Sequence, residues 1–170
     1  MTFQLERMSS PLSELLLVFD GSGHLRALDF ADCEARMHRL LGLHYGSYVL
    51  STGRAPIVIR RALSAYFEGE LTALMDVALE TGGTAFQRDV WTVLRAIAPG
   101  TTMSYGAVAR AIGRPTACRA VGLANHVNPV AIVVPCHRVI GTSGALTGYA
   151  GGLARKSWLL RHENAQVCCR

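Results

Sequence analysis

The sequence predicts an α/β unit over residues 1–83 followed by a mostly α unit over residues 84–170 that contains a helix-turn-helix. Three observations carry that reading. In the first half, two apolar segments joined by a turn signal precede two segments of helical spacing. Thr81-Gly82-Gly83 then has the composition of a linker. Past it the charge changes sign: residues 1–83 carry seven Arg against ten acids, net −3, and residues 84–170 carry nine Arg and one Lys against two acids, net +8.

In chain order, Leu12 to Phe19 and Leu25 to Phe30 are apolar-rich and joined by Asp20-Gly21-Ser22-Gly23, which predicts a β-hairpin. Cys33 to Leu43 has helical spacing, with Met37, Leu40 and Leu41 on one side. Ile57 to Phe67 repeats it with Ile59, Leu63 and Phe67, and Gly69 ends that helix. Asp29, Asp32 and Glu34 read as a solvated face, and no catalytic cluster stands out in this half. After the linker, Thr84 and Gln87 have the spacing of a capping box, so a helix is expected from Ala85 to Ile97 with Phe86, Val90, Val93, Leu94 and Ile97 inward. Pro99-Gly100 closes it.

Ser104 can cap a short helix, Tyr105 to Ile112, which ends at Gly113. Pro115 suits the first turn of a second helix that runs to about His126. A three- or four-residue turn with a glycine is helix-turn-helix spacing. Arg119 would face outward and Val121 and Ala124 inward. Asn128-Pro129 ends this helix and leads into Ala131 to Val139, where β-branched apolar residues, compatible with a short buried strand, stop at Pro135 and deliver Cys136 and His137 side by side. A thiol with an ordinary pKa is only about 3% thiolate at neutral pH, and the thiolate is the nucleophile. His137 and Arg138 offer one titratable and one fixed positive group next to it in sequence. From Gly141 to Gly152, five glycines in twelve residues predict a mobile loop able to fold over a planar ligand. It lacks the Lys-Ser/Thr ending of a phosphate-binding loop. A last helix, Leu153 to Glu163, carries Lys156, the only lysine of the chain.

Composition excludes several classes. Half of the residues are hydrophobic, against disorder, and no apolar run approaches the roughly 20 residues of a membrane-spanning helix. Met1 to Ser10 lacks the features of a secretory signal, and the cysteines at 33, 118, 136, 168 and 169 form no Cys-x-x-Cys pair, so a cytoplasmic protein with reduced thiols is expected. Cys168 and Cys169 read as part of a frayed tail. The net charge of +5, all of it from the second half, points to a polyanion partner, nucleic acid first.

Pro135-Cys136-His137-Arg138-Val139 resembles the active-site motif of the O6-alkylguanine-DNA alkyltransferases, also called methylated-DNA-protein-cysteine methyltransferases. Phe86 to Trp91, Ser104-Tyr105-Gly106, Arg119-Ala120-Val121-Gly122, Asn128-Pro129, Gly148 to Gly152 and Lys156 to Glu163 match in order and spacing. The resemblance is specific over residues 84–163. Before that it rests on length and on Tyr66-Phe67-Glu68-Gly69, and the overall length resembles the bacterial single-function forms.

The resemblance implies a ribonuclease-H-like sheet with helices over residues 1–83 as a structural domain, and a winged-helix-like DNA-binding and alkyl-acceptor domain over residues 84–170. It also implies a suicide repair protein that moves an alkyl group from O6-alkylguanine in duplex DNA to itself, with O4-alkylthymine as a second candidate substrate. Cys136 would be the nucleophile, His137 would take its proton through a water, and Glu163 would support the imidazolium. Tyr105 would protonate N3 of the leaving base with help from Lys156, and Asn128 would tie the recognition helix to the cysteine turn. Arg119 would fill the stack left by the flipped nucleotide, with Ala117, Cys118, Gly122 and Tyr105 at the DNA surface. Val139, Tyr149 and Ala150 would line the base pocket. Cys118 departs from the family, which has a small apolar residue there. Cys33 is the only cysteine before residue 118, so a two-cysteine, two-histidine zinc site cannot form, and neither metal nor cofactor is expected. The protein is expected to act as a monomer, with cooperative binding along DNA left open.

Two other readings use the same residues. A cysteine hydrolase with Cys136, His137 and Glu163 as its relay would turn over many equivalents. A DNA-binding regulator using only the helix-turn-helix would ignore Cys136→Ser.

Overall fold

A computed structural model describes residues 1–165; Cys168 and Cys169 lie outside the described residues. The chain forms two compact units, one of Met1–Gly83 with Pro129–Val133, the other of Thr84–Asn128 with the chain from Val134 onward.

In the first unit, strands β1 (Thr2–Met8), β2 (Leu15–Phe19), β3 (Leu25–Phe30) and β4 (Val49–Thr52) form one mixed sheet in the order β3-β2-β1-β4. The predicted hairpin is β2 and β3, antiparallel, with Leu17 opposite Leu28. Asp20 builds its turn by accepting from the N–H groups of Ser22 and His24. Every residue of β2 is buried, which explains its unbroken apolar run. β1 pairs antiparallel with β2 and parallel with β4.

Helices α1 (Glu34–Tyr45) and α2 (Ile57–Phe67) stand where the apolar spacing predicts. Met37 and Leu41 of α1 pack with Phe3, Leu16, Val18 and Ala27 of the sheet. In α2 the inward aromatic is Tyr66 rather than Phe67, since Ile59, Leu63 and Tyr66 keep the tighter i, i+4, i+7 stripe. Gly69 leaves the helix at φ +106°, a conformation that favours glycine.

Two further expectations are corrected. Asp29 is 2% exposed, not part of a solvated face: its Oδ1 accepts from Arg36 Nη2 at 2.7 Å and from the Phe30 N–H at 2.9 Å. Burial pushes its carboxyl above the ordinary value, against the opposing attraction of Arg36. The segment 131–134 is buried but makes a turn, not a strand. Only Val130 bridges to Leu28, and Ile132 takes φ +68°, strained for a β-branched residue.

The second unit contains α3 (Ala85–Ala96), β5 (Met103–Ser104), α4 (Tyr105–Ala111), α5 (Cys118–His126), β6 (Val139–Ile140) and α6 (Leu153–His162). The capping box forms: Thr84 Oγ1 accepts from the Gln87 N–H, and Gln87 Oε1 from the Thr84 N–H. α3 buries Val90, Trp91 and Leu94, with Trp91 taking the place expected of Val93 because its Nε1–H reaches the Ala124 carbonyl of α5 at 3.0 Å. Ser104 caps α4 by accepting from the Ala107 N–H. Residues 112–117 join α4 to α5, a longer connection than the spacing predicts. Pro115, expected in the first turn of the second helix, lies instead in the connection, and α5 begins only at Cys118. Val121 and Ala124 are buried and Arg119 is exposed, as their spacing predicts.

Asp29→Ala leaves the half-buried Arg36 guanidinium without its carboxylate, and should lower stability by about 3 kcal/mol in urea unfolding. A loss below about 0.5 kcal/mol would mean that the pair acts as an ordinary surface ion pair.

Candidate active site

The cysteine turn is short and tightly held. Pro135 stops the preceding apolar segment, Cys136–Arg138 make one 3-10 turn, and β6 begins at the next residue. β6 runs parallel to β5, with Met103 opposite Val139 and Ser104 opposite Ile140. α4 starts directly after β5, and its first residue, Tyr105, lines the same pocket as Cys136. Asn128, just past α5, is 1% exposed and donates twice from Nδ2, to the Val134 carbonyl at 2.8 Å and to Cys136 Sγ at 3.2 Å. The end of the helix and the sulfur therefore share one side-chain amide.

Behind the sulfur lies a buried ionic network. His137 Nε2 is 2.9 Å from Glu163 Oε1, and both residues are 1% exposed or less. Arg138 grips the same carboxylate with two donors, Nε to Oε2 and Nη2 to Oε1, each at 2.8 Å, and donates from Nη1 to the Ile97 carbonyl. The sequence suggested a positive charge beside the thiol; instead, this guanidinium bonds Glu163 and the Ile97 carbonyl, gripping the carboxylate in the bidentate geometry that arginine favours. Gly100, at φ +78°, permits the packing here, since a side chain there would start 2.9 Å from the Glu163 carbonyl.

Burial alone would raise the Glu163 carboxyl, but hydrogen bonds from His137 and Arg138 outweigh it and hold the group well below the usual carboxylate range. Burial lowers His137, against the pull of Glu163 and with the charges of Arg138 and Lys156 acting in the same direction as burial. A neutral His137 that donates from Nε2 to Glu163 keeps a lone pair on Nδ1, which has no hydrogen-bond partner among the described residues.

Lys156 is fully buried in α6 and donates from Nζ to the Val139 carbonyl at 2.6 Å and to the Thr147 carbonyl at 2.8 Å. Burial lowers its pKa to about 8, while the charge of an ionised Cys136 would raise it. The Tyr105 hydroxyl donates to the same Thr147 carbonyl at 3.5 Å, so Tyr105 and Lys156 meet at one acceptor rather than at each other.

Cys136 opens on a pocket of about 520 Å³. Tyr105, Gly122, Tyr149 and Ala150 line it, with Cys118 and Arg119 as exposed members. Gly122 keeps one side open: a side chain there would first meet the Tyr105 ring, at 3.9 Å. His137, Glu163, Lys156 and Asn128 stand behind the lining. Val139 is fully buried with its carbonyl taken by Lys156, and Ala117 precedes α5; neither lines the pocket. Three contributors escaped the sequence reading: the clamp of Arg138 on Glu163, the Thr147 carbonyl, and Asn125, a pocket residue whose Nδ2 and Oδ1 are both buried without a partner among the described residues. The spacing of Asn125 from Gly122 and Asn128, one turn on either side, was the available signal for the last. A buried amide left unpaired costs about 1–3 kcal/mol per group.

A cysteine flanked by a buried His–Glu–Arg network, in a pocket walled by the second of two helices joined by a turn, fits one class: proteins in which a DNA-binding fold carries a thiol acceptor. The comparisons agree. The family model described as "6-O-methylguanine DNA methyltransferase, DNA binding domain" matches residues 85–165. The chain is 49% identical over 160 residues to a methylated-DNA-protein-cysteine methyltransferase of Salmonella typhimurium, covering 93% of this chain and 94% of that one. It is similar in structure to an O6-methylguanine methyltransferase of Mycobacterium tuberculosis, with TM-score 0.78 and 42% identity over 99% and 96% of the two chains. It is also similar to the Mycobacterium tuberculosis OGT in complex with DNA, with TM-score 0.80 and 43% identity over 96% and 93%. The chain belongs to the methylated-DNA-protein-cysteine methyltransferase family.

The lowered Glu163 carboxyl sets a pH dependence. A depressed carboxyl contributes stability that is fully present above its unfolded value, near 4.5, and is lost as the pH falls through the folded value. Glu163→Gln should therefore be less stable than wild type by about 3 kcal/mol at neutral pH, and the gap should shrink between about pH 5 and pH 3 in melting curves. A gap that stays constant over that range would contradict the lowered carboxyl.

Proposed function

We propose that this protein repairs DNA by direct reversal, moving the alkyl group from O6-alkylguanine in duplex DNA irreversibly to Cys136. One observation carries the reading: the sulfur that lines the pocket is bonded by Asn128 and backed by the His137–Glu163–Arg138 network. In the first step, His137 takes the thiol proton on Nδ1 through a bridging water, and Glu163 supports the imidazolium that results. The Asn128 amide and the positive charge of Lys156 favour the ionised sulfur.

The thiolate then attacks the saturated alkyl carbon from the side opposite O6. The S–C bond forms as the C–O6 bond breaks, and the electron pair flows into the purine. Tyr105 gives its proton to N3, so the base leaves as neutral guanine. Lys156 supports that tyrosine through the Thr147 carbonyl they share. The product is a thioether, which water does not readily hydrolyse, so each molecule reacts once.

A stacked base hides its alkyl carbon, so the nucleotide must be flipped at a cost of a few kcal/mol. Arg119, exposed on α5 at the pocket, takes the vacated place in the stack. Ala117, Cys118 and Gly122 let the helix approach the minor groove, and Tyr149 and Ala150 hold the extruded base. The net charge of +8 over residues 84–170 supplies the sequence-independent attraction to phosphate. On this reading residues 1–83 are a structural domain with a ribonuclease-H-like sheet, residues 84–170 a winged-helix-like acceptor domain, and the protein works in the cytoplasm as a monomer. No helix among the described residues is long and apolar enough to cross a membrane.

The test is intact-protein and peptide mass after mixing with a duplex containing O6-methylguanine. One added methyl per molecule, located on Cys136, is expected; no mass change, a methyl only on Cys118, or many turnovers would overturn the reading. Arg119→Ala should slow duplex repair at least tenfold while changing the reaction with free O6-benzylguanine less than about threefold. Equal losses on both would remove the flipping role.

A further inference from the structure

We infer that Asn125 reads the Watson–Crick edge of the extruded base and so sets a preference for O6-alkylguanine over O4-alkylthymine; the inference rests on the function proposed above. Asn125 is 9% exposed, lines the pocket, and has neither Nδ2 nor Oδ1 partnered among the described residues. Asparagine is a poor interior helix residue, and buried polar side chains are normally satisfied, so a ligand is the natural partner for this one.

Its place on α5 says which ligand. Gly122, one turn before it, borders the open wall by the Tyr105 ring, and Asn128, one turn after it, bonds the sulfur. The Asn128 N–H donates to the Asn125 carbonyl at 3.2 Å, which keeps the two residues in one turn. Asn125 thus stands on α5 one turn from the glycine of the pocket wall and one turn from the residue that bonds the sulfur. It offers a donor and an acceptor side by side. O6-alkylguanine presents the complement, an acceptor at N1 beside a donor at the 2-amino group. O4-alkylthymine presents acceptors at both N3 and O2, which satisfies Nδ2 and sets Oδ1 against an oxygen. Sites built to bond a polar edge discriminate strongly against ligands that cannot complete it.

The experiment compares single-turnover methyl transfer from duplexes containing O6-methylguanine, O6-methylhypoxanthine, which lacks only the 2-amino group, and O4-methylthymine. Wild type should slow about tenfold when the amino group is removed, whereas Asn125→Leu should react with the two purines at equal rates and prefer guanine over thymine about tenfold less. Each protein is compared with itself, so a general folding loss cancels. Should the leucine variant not fold, Asn125→Asp keeps the acceptor and loses the donor, and should be slower on both purines with the amino-group dependence retained. The same amino-group dependence in wild type and Asn125→Leu, or an Asn125→Asp variant as fast as wild type, would overturn the inference. Absence of any methyl on wild-type Cys136 would instead overturn the proposed function.

Discussion

The carboxylate of Glu163 is the point on which the acceptor half of the molecule depends. It ends α6, yet its oxygens accept from His137 and twice from Arg138, both on the cysteine turn. Without it, a guanidinium and an imidazole would share the interior with no counter-charge. Burying such a network stabilises little, and removing one partner is expensive, so its value lies in position. The position is specific: the bond to Nε2 selects the histidine tautomer, and the Arg138 clamp extends the network to the end of α3 through Ile97. One acid thus orients the proposed base and anchors the turn that carries the proposed nucleophile.

The sulfur is held from the other side by backbone order. Asn128 bonds Val134 and Cys136 together, and the β5–β6 ladder ties the turn to the start of α4. Lys156 takes the carbonyls of Val139 and Thr147, one in β6 and one in the glycine-rich loop. Helix, turn and loop are thereby fixed around the pocket by two buried polar side chains, Asn128 and Lys156, and by the backbone ladder. This rigidity suits a displacement at saturated carbon, where attacking and leaving atoms must align.

Much of this was legible in the sequence, and the failures have physical causes. The helices were readable because their apolar residues recur with helical spacing and because Thr84, Ser104 and Gly69 mark their ends. Strands β1 and β4 were missed because β1 alternates only two apolar residues, Phe3 and Leu5, with polar ones, and β4 has one half-buried position, Leu50. The segment 131–134 reads as a strand by composition, but its buried surroundings impose a turn that strains Ile132. Asp29 and Arg138 were misplaced for a common reason. Neighbours in sequence say nothing about which distant charge a side chain finds, and both found theirs through the fold. Cys136 and His137 stood out in the sequence as a thiol and an imidazole side by side, whereas Asn128 and Glu163 were identifiable only through family resemblance, since the contacts that join them to the cysteine turn span residues 128–163.

The central claim is that Glu163, through His137, makes the Cys136 thiol reactive near neutral pH. The direct measurement is the pH dependence of Cys136 alkylation by iodoacetamide, followed by peptide mass, in wild type and in Glu163→Gln. The account predicts a profile displaced to higher pH in the variant and a rate at pH 7 lower by about tenfold or more. Superimposable profiles would show that the thiol owes its reactivity to something other than this network.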